Sequence, residues 1–473
     1  MKTIDDPQVI AGYLTDASNV PGHAEALVRP ESAEELAQVL AHCTAKGIGV
    51  TITAARTSTT AAAVPEGGWL VSTERLDRIA HIGHETAVAS AGVRLGELQA
   101  AIEATGRMFP PDPTSRHDCT LGGAIACNAS GARSFRYGPT RPWIEALQVV
   151  LADGRILEVH RDDPIPEDWP VPRWTEPQVK TAAGYPPPTS LVDLFIGQEG
   201  TLGVVTRATL RLTDRPDEIM GIVAFFPDRP TATTFMRHAR AAARQDRSGP
   251  LSPICIEYLD RHCVRLAADR GVTVPAGAGC ALFCEQIIES AHGEDGHLEA
   301  WWTALETLGA LVDDTIATTN RAGSKALHEL RHAVPAGINE RVVRNGMRKV
   351  GTDLAVPDDA LDAMMDLYEA APVESVLFGH LGDNHLHLNL LPKTPDELAL
   401  AKAFYDTLAR RAIQLGGTVS AEHGIGKLKR EHLAWMVGPE VLAGFARLKS
   451  ALDPAWILGR GNMLAVRDAP DGR

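Results

Sequence analysis

Three histidines, His380, His385 and His387, fall within eight residues in the run Gly379-His380-Leu381-Gly382-Asp383-Asn384-His385-Leu386-His387-Leu388-Asn389. Gly-Asp-Asn is turn chemistry, so the run reads as two strands joined tightly, with His380 and His387 facing each other across a hairpin. Alternation along the second strand puts His385, His387 and Asn389 on one face and Leu386, Leu388 and Leu390 on the other. A second cluster, Gly416 to Lys427, sets Glu422 beside His423 between glycines, whose conformational freedom lets a loop aim such side chains. Two imidazoles and a carboxylate form a common three-ligand set for a catalytic divalent metal that keeps a position open for substrate, and His380, His387 and Glu422 fit it. For the hairpin alone, histidines that merely hydrogen-bond beside a turn remain the alternative.

In the N-terminal half, the rigid loop Pro110-Pro111-Asp112-Pro113-Thr114-Ser115 precedes Thr120-Leu121-Gly122-Gly123-Ala124-Ile125-Ala126-Cys127-Asn128-Ala129-Ser130-Gly131. A backbone of such small residues permits close approach of a flat or phosphorylated ligand. It equally fits a packed turn and a helix start crowded against a neighbour, and Gly197-Gln198-Glu199-Gly200-Thr201-Leu202-Gly203 carries the same two readings.

The elements that must position these groups come from periodicity. Ser32 with Glu35 has the form of a capping box before Leu36, Val39, Leu40 and Cys43 at helical spacing; Gly47 ends that helix and a strand runs from Ile48 to Thr53. Strands at 69–72 and 86–90, a helix at 95–105 and a hairpin turning at Asp153-Gly154 make the first half mixed α and β. Residues 162–188 read as an irregular, proline-rich surface excursion. Beyond Asp217, strands near 219–226, 254–258 and 281–288 alternate with helices near 231–243, 261–268 and 298–308, which predicts helices on one face of a sheet. The fold class is α+β, with a boundary near Asp217 and a returning C-terminal helix.

Composition narrows the function. A formal charge of -14 without any Lys/Arg run argues against nucleic acid or an anionic membrane and for a small-molecule partner. No signal peptide or spanning segment is recognisable, so a cytoplasmic protein is expected. The seven cysteines contain no CxxC pair, so electrons would leave through another molecule.

Taken together, PPDPTS at 110–115, TLGGAIACNASGAR at 120–133, RYGPTR at 136–141, GQEGTLGVVT at 197–206, GHLGDNHLH at 379–387 and AEHGIGKLK at 421–429 resemble one family. It is the FAD-linked oxidases that include D-lactate, D-2-hydroxyglutarate and glycolate dehydrogenases, of the vanillyl-alcohol-oxidase type, and the resemblance spans residues 20 to 465. It implies a two-subdomain, PCMH-type FAD-binding domain at 20–216 and a C-terminal substrate/cap and metal-site domain with a ferredoxin-like sheet at 217–465. Pro111, Ser115, Leu121, Gly122, Gly123, Asn128, Ser130, Gly131, Tyr137, Glu199, Gly200, Gly203 and Val205 would surround FAD, mostly through backbone groups, with Asn462 a flavin neighbour. His380, His387 and Glu422 match the family's metal ligands, for zinc or manganese, His423 the base, and Arg331 the residue that holds the substrate carboxylate.

Two departures matter. The family's pyrophosphate loop is glycine-rich, whereas residues 54–63 here, Ala-Ala-Arg-Thr-Ser-Thr-Thr-Ala-Ala-Ala, contain none; side-chain hydrogen bonds from Arg56, Thr57 and Ser58 are the expected compensation. Relatives acting on 2-hydroxyglutarate carry lysine at the position of Gly351 and threonine at that of Pro335, which points away from a dicarboxylate and toward a D-lactate-like acid. The resemblance thus implies oxidation of a small D-2-hydroxy acid by hydride transfer to flavin. A separate acceptor, a quinone, a cytochrome or an electron-transfer flavoprotein, would take the electrons, and a homodimer is the expected assembly. Two alternatives stand beside it: a flavin-free binding or regulatory subunit, suggested by the glycine-free run, and a metal-dependent hydrolase, which would leave the N-terminal pattern unused.

Overall fold

The computed structural model describes residues 2–319 and 321–465, the side chains of 321–326 and 328–332 excepted. The chain divides into two compact units that no single cut in the sequence produces. The first comprises Met1–Gly131, Gly138–Arg215 and Val419–Arg473, the second Ala132–Tyr137 and Pro216–Thr418.

The first unit holds three sheets, the smallest being the antiparallel pair Arg107–Met108 with Thr213–Asp214. Ala26–Val28, Trp69–Ser72 and Val50–Thr53 form a parallel three-stranded sheet with Trp69–Ser72 in the centre. Parallel pairing needs a crossover, and the helix Ala33–Lys46 supplies it. The Ser32 side chain accepts the N–H of Glu35, while the Glu35 carboxylate takes the N–H of Glu31, one residue earlier than in the reciprocal box. Gly47 closes the helix at φ 67°. Leu36, Val39, Leu40 and Cys43 are buried with Val50, Val71, Val150 and Val204; each such leucine contributes about 1.5–3 kcal/mol. Ile457 and Leu458 complete this core, and Val50 exchanges backbone hydrogen bonds with Ile457 and Gly459. The returning C-terminal segment is therefore an integral part of the first unit. The largest is an antiparallel sheet of five strands, in the order Ile79–Ile82, Thr86–Ser90, Val204–Arg211, Ile144–Val150, Ile156–His160.

The second unit is built on one antiparallel sheet, ordered Ile316–Thr318, Ile219–Phe226, Cys280–Ile287, Pro253–Leu259, Ser375–His380, His385–Leu390, Val350–Gly351. Helices cover both of its faces, not one as the alternation of elements predicts. Val223 and Phe225 pack with Cys263, Val264 and Leu266 of the helix Arg261–Ala268, while Phe226 meets Phe235 of the helix Arg229–Gln245. The strand Ile219–Phe226 is accordingly apolar without alternation, the pattern of a strand buried on both sides. Among the described residues no helix is long and apolar enough to cross a membrane.

Candidate functional site

Ser375–His380 and His385–Leu390 pair as the expected hairpin, turned by Leu381–Asp383 and by Asn384 at φ 53°. Register places His380 directly opposite His385, and Phe378 opposite His387. The three rings nevertheless cluster: centroids lie 5.3 Å apart for His380 and His385, 5.5 Å for His380 and His387, and 4.4 Å for His385 and His387. One ring nitrogen of each comes within 4.8 Å of those of the other two.

Two of the rings, those of His380 and His387, are oriented by an acceptor on another element, and a carboxylate lies close to the third. His380 Nδ1 lies 2.6 Å from a carboxylate oxygen of Glu257, which is almost fully buried. His385 Nε2 lies 2.9 Å from Asp353 Oδ1, both residues being wholly buried. His387 Nδ1 lies 3.3 Å from the carbonyl of Thr352. An acceptor on one nitrogen sets the tautomer and leaves the other as a lone-pair donor, which is how metal-binding histidines are held. The donor set therefore fits a divalent transition metal of the zinc or manganese kind. Neither carboxylate belongs to the three-ligand set read from the sequence. A signal for Glu257 was present, since a lone carboxylate interrupts the apolar strand Pro253–Leu259. Asp353 carried no comparable mark.

In the first unit, the glycine-bracketed loop is held from several sides. The Glu199 carboxylate accepts the N–H of Ile425 at 2.7 Å and of Gly426 at 2.6 Å. The Ser420 carbonyl accepts the N–H of Ala182, and the Ser420 hydroxyl donates to the carbonyl of Gly424 at 2.7 Å. The Thr60 hydroxyl donates to the carbonyl of His423 at 3.4 Å. Glu422, just upstream, receives the hydroxyl of Ser130 at 3.3 Å and lies 3.6 Å from the ammonium of Lys180. Lys180 lies in the proline-rich excursion, whose end is thus docked on this loop and not loose on the surface. Burial pushes the Glu199 carboxyl up to about 7, outweighing the lowering effect of its two N–H donors and of Lys429 and Lys427.

The loop 54–63 reaches left-handed conformations without glycine: Arg56 has φ 58° and Ala61 φ 61°. Each costs on the order of 1 kcal/mol. The expected compensation is directed inward. Arg56 bonds the carbonyl of Ala54 at 2.7 Å and lies over the Tyr13 ring at 4.6 Å, and Ser58 accepts the N–H groups of Thr60 and Ala62. The backbone N–H groups of Arg56, Thr57, Ser58 and Thr59 find no acceptor among the described residues. N–H groups that no protein acceptor claims beside a left-handed residue are available to anionic oxygens, so the glycine-free composition does not itself exclude a pyrophosphate.

The other predicted cofactor residues divide by what occupies them. Gly122 and Gly131 are required by the protein itself: a Cβ on Gly122 would sit 2.7 Å from that of Ala91, and one on Gly131 2.1 Å from the carbonyl oxygen of Asp112. Gly123 lies in the first turn of the short helix Leu121–Ala126, its N–H accepted by the Thr120 hydroxyl. Asn128 accepts the N–H of Arg141, the Pro111 carbonyl takes the Gln99 amide, and the Ser115 carbonyl receives Cys119 N–H. Gly200 has φ 72°, Gly203 packs on Val149, and Val205 pairs with Val149. Asn462 is committed to protein: it accepts from Lys427 at 2.7 Å and donates to the carbonyls of Ala62 and Glu199. Tyr137 belongs to the segment Ala132–Tyr137 of the second unit, which Arg133 ties to Glu285 at 2.7 Å. The Arg331 side chain lies outside the described residues.

A PCMH-type FAD-binding domain joined to an α+β domain carrying a histidine hairpin defines a flavin-dependent oxidoreductase. The chain belongs to the FAD-linked oxidases: residues 24–160 match the FAD binding domain and residues 216–463 the FAD linked oxidases, C-terminal domain. It is 30% identical to D-2-hydroxyglutarate dehydrogenase of Xanthomonas citri pv. viticola, over 94% of this chain and 90% of that one. It is 27% identical to the glycolate oxidase subunit GlcD of Bacillus subtilis, over 93% and 89%, and 28% to D-lactate dehydrogenase of Archaeoglobus fulgidus, over 93% and 91%. Among solved structures, an alkyldihydroxyacetonephosphate synthase superposes with a TM-score of 0.69 at 16% identity, covering 97% of this chain and 83% of that one; this likeness bears on the fold alone.

Proposed function

We propose that the protein oxidises a D-2-hydroxy acid to the 2-oxo acid, with a divalent metal held by His380, His387 and Glu422. The observation that carries this reading is the cluster of three imidazoles, one of them held by the buried carboxylate of Glu257 and another beside that of Asp353, in a chain of the FAD-linked oxidases. The 2-hydroxy acid dehydrogenases among its relatives support the substrate class.

The chain's own residues divide the work. His423, as the neutral imidazole, takes the proton of the substrate's α-hydroxyl while the α-hydrogen leaves as hydride. Glu199 holds the loop on which His423 sits, and Arg331 pairs with the substrate carboxylate. The N–H groups of Arg56 to Thr59 and the backbone around Gly122, Gly123 and Gly200 hold the flavin nucleotide. Bound FAD supplies the hydride acceptor, and a bound divalent metal supplies a Lewis acid that makes the hydroxyl more acidic. A separate acceptor then reoxidises the flavin, since the cysteines are single free thiols.

The visible absorbance spectrum of the purified protein tests this reading. Flavin bands that bleach on adding a D-2-hydroxy acid support it. A colourless protein that cannot be reconstituted with FAD overturns it in favour of a flavin-free subunit.

A further inference from the structure

A residue with a side chain takes the left-handed backbone only at a cost, and the loop 54–63 does so twice, at Arg56 and at Ala61. The half-buried Arg56 side chain meets two other segments of the first unit. Its guanidinium lies over the Tyr13 ring at 4.6 Å, and one of its nitrogens is 3.4 Å from Glu74 Oε1. The second oxygen of Glu74 accepts the Tyr13 hydroxyl at 2.8 Å and the Ser72 hydroxyl at 3.0 Å. Ring, carboxylate and guanidinium close a triangle in which each holds the other two, the cation resting on the aromatic face and the anion at its edge.

Backbone from the same N-terminal segment adds to the hold. The N–H of Ala17 donates to the Arg56 carbonyl at 3.0 Å, and the carboxylate of Asp16, which is almost fully buried, accepts the N–H of Ala63 at 3.3 Å. Residues 13 to 17 therefore grip the loop near both ends, while the Lys427 ammonium donates to the carbonyl of Ala61 at 3.3 Å. The gripping segment has its own anchorage. Ile4 exchanges backbone hydrogen bonds with Leu27 on the edge strand of the parallel sheet, and Ile10 is buried with Leu27 and Leu70. Tyr13 to Ala17 precede residues 24–160, which match the FAD binding domain.

We propose that Tyr13, acting with Glu74, is a positioning residue for the nucleotide loop. It clamps Arg56 in the left-handed conformation that glycine would take unaided, and so fixes the N–H groups of residues 56–59 for FAD. This rests on the proposed assignment of that loop to the flavin nucleotide, and is independent of the acid oxidised.

The test is the FAD affinity of the full chain, freed of flavin and titrated with FAD while flavin fluorescence is followed. Tyr13→Leu should weaken binding about 3- to 30-fold, and Tyr13→Phe, which keeps the ring over Arg56, should recover most of that loss. Arg56→Ala keeps the strain of a Cβ and loses the clamp, so it should bind FAD more weakly than Arg56→Gly, which has no strain to oppose. In the Arg56→Gly background, Tyr13→Leu should change affinity by no more than about 2-fold. An unchanged affinity in Tyr13→Leu, equal affinities for Arg56→Ala and Arg56→Gly, or the same loss from Tyr13→Leu in both backgrounds overturns the clamp. A wild type that binds no FAD overturns it together with the proposed function, whereas bound FAD that no D-2-hydroxy acid reduces defeats the proposed function alone.

Discussion

The carboxylate of Glu199 accepts the backbone N–H of Gly426 at 2.6 Å, across 227 residues of sequence, and its second oxygen takes the N–H of Ile425. Glu199 has a left-handed backbone, φ 53°, and is almost wholly buried. It clamps the loop that carries Glu422 and His423.

The clamp has a pH signature. The folded-state pKa of Glu199 is raised from 4.5 to about 7 by burial, so the folded protein binds this proton more tightly than the unfolded chain. Its contribution favours folding below about pH 4.5 and is lost as pH rises toward 7, a span worth roughly 3 kcal/mol. Urea unfolding of wild type and Glu199→Gln between pH 4.5 and 7.5 measures it. The wild type should lose stability relative to the variant as pH rises, and parallel profiles would refute the assignment.

His423→Ala should slow reduction of the flavin by a D-2-hydroxy acid by roughly 10²-fold or more while FAD stays bound, because the variant removes a proton acceptor and leaves the nucleotide contacts in place. Stopped-flow absorbance reads the rate. Unaltered kinetics would remove His423 from the proton transfer.

Glu257→Gln keeps the shape of the side chain that holds His380 and removes its charge. Metal affinity should fall about 10- to 100-fold, as measured by competition with a chelator. An affinity equal to wild type would mean that Glu257 only fills space.

Gly131→Ala places a Cβ 2.1 Å from the Asp112 carbonyl oxygen, so the backbone must shift. A loss of about 1–3 kcal/mol in unfolding free energy is expected, together with a lower FAD content. A thermal melt identical to wild type would show that the two segments separate at no cost.

Much of the local structure was legible in the residues. The strand Trp69–Ser72, the hairpin about Gly154 and the helix Arg261–Ala268 fall where apolar period and turn residues put them. The both-sided burial of Ile219–Phe226 was less accessible, because an unbroken apolar run names a buried strand without naming what covers it. The loop 54–63 was misleading by composition: Arg56 and Ala61 take the left-handed backbone that glycine was expected to supply.

By itself the sequence determined the family, the histidine hairpin and the Glu422-His423 pair, since each is written in residues adjacent along the chain or alternating on one strand. Tertiary structure alone decided that Glu257 holds His380, that Glu199 clamps Ile425 and Gly426, and that Val419–Arg473 folds with the first unit. The physical reason is the same in each case. A buried polar group must be satisfied, but any donor or acceptor within reach will do it, and only the packing of segments distant in sequence selects one.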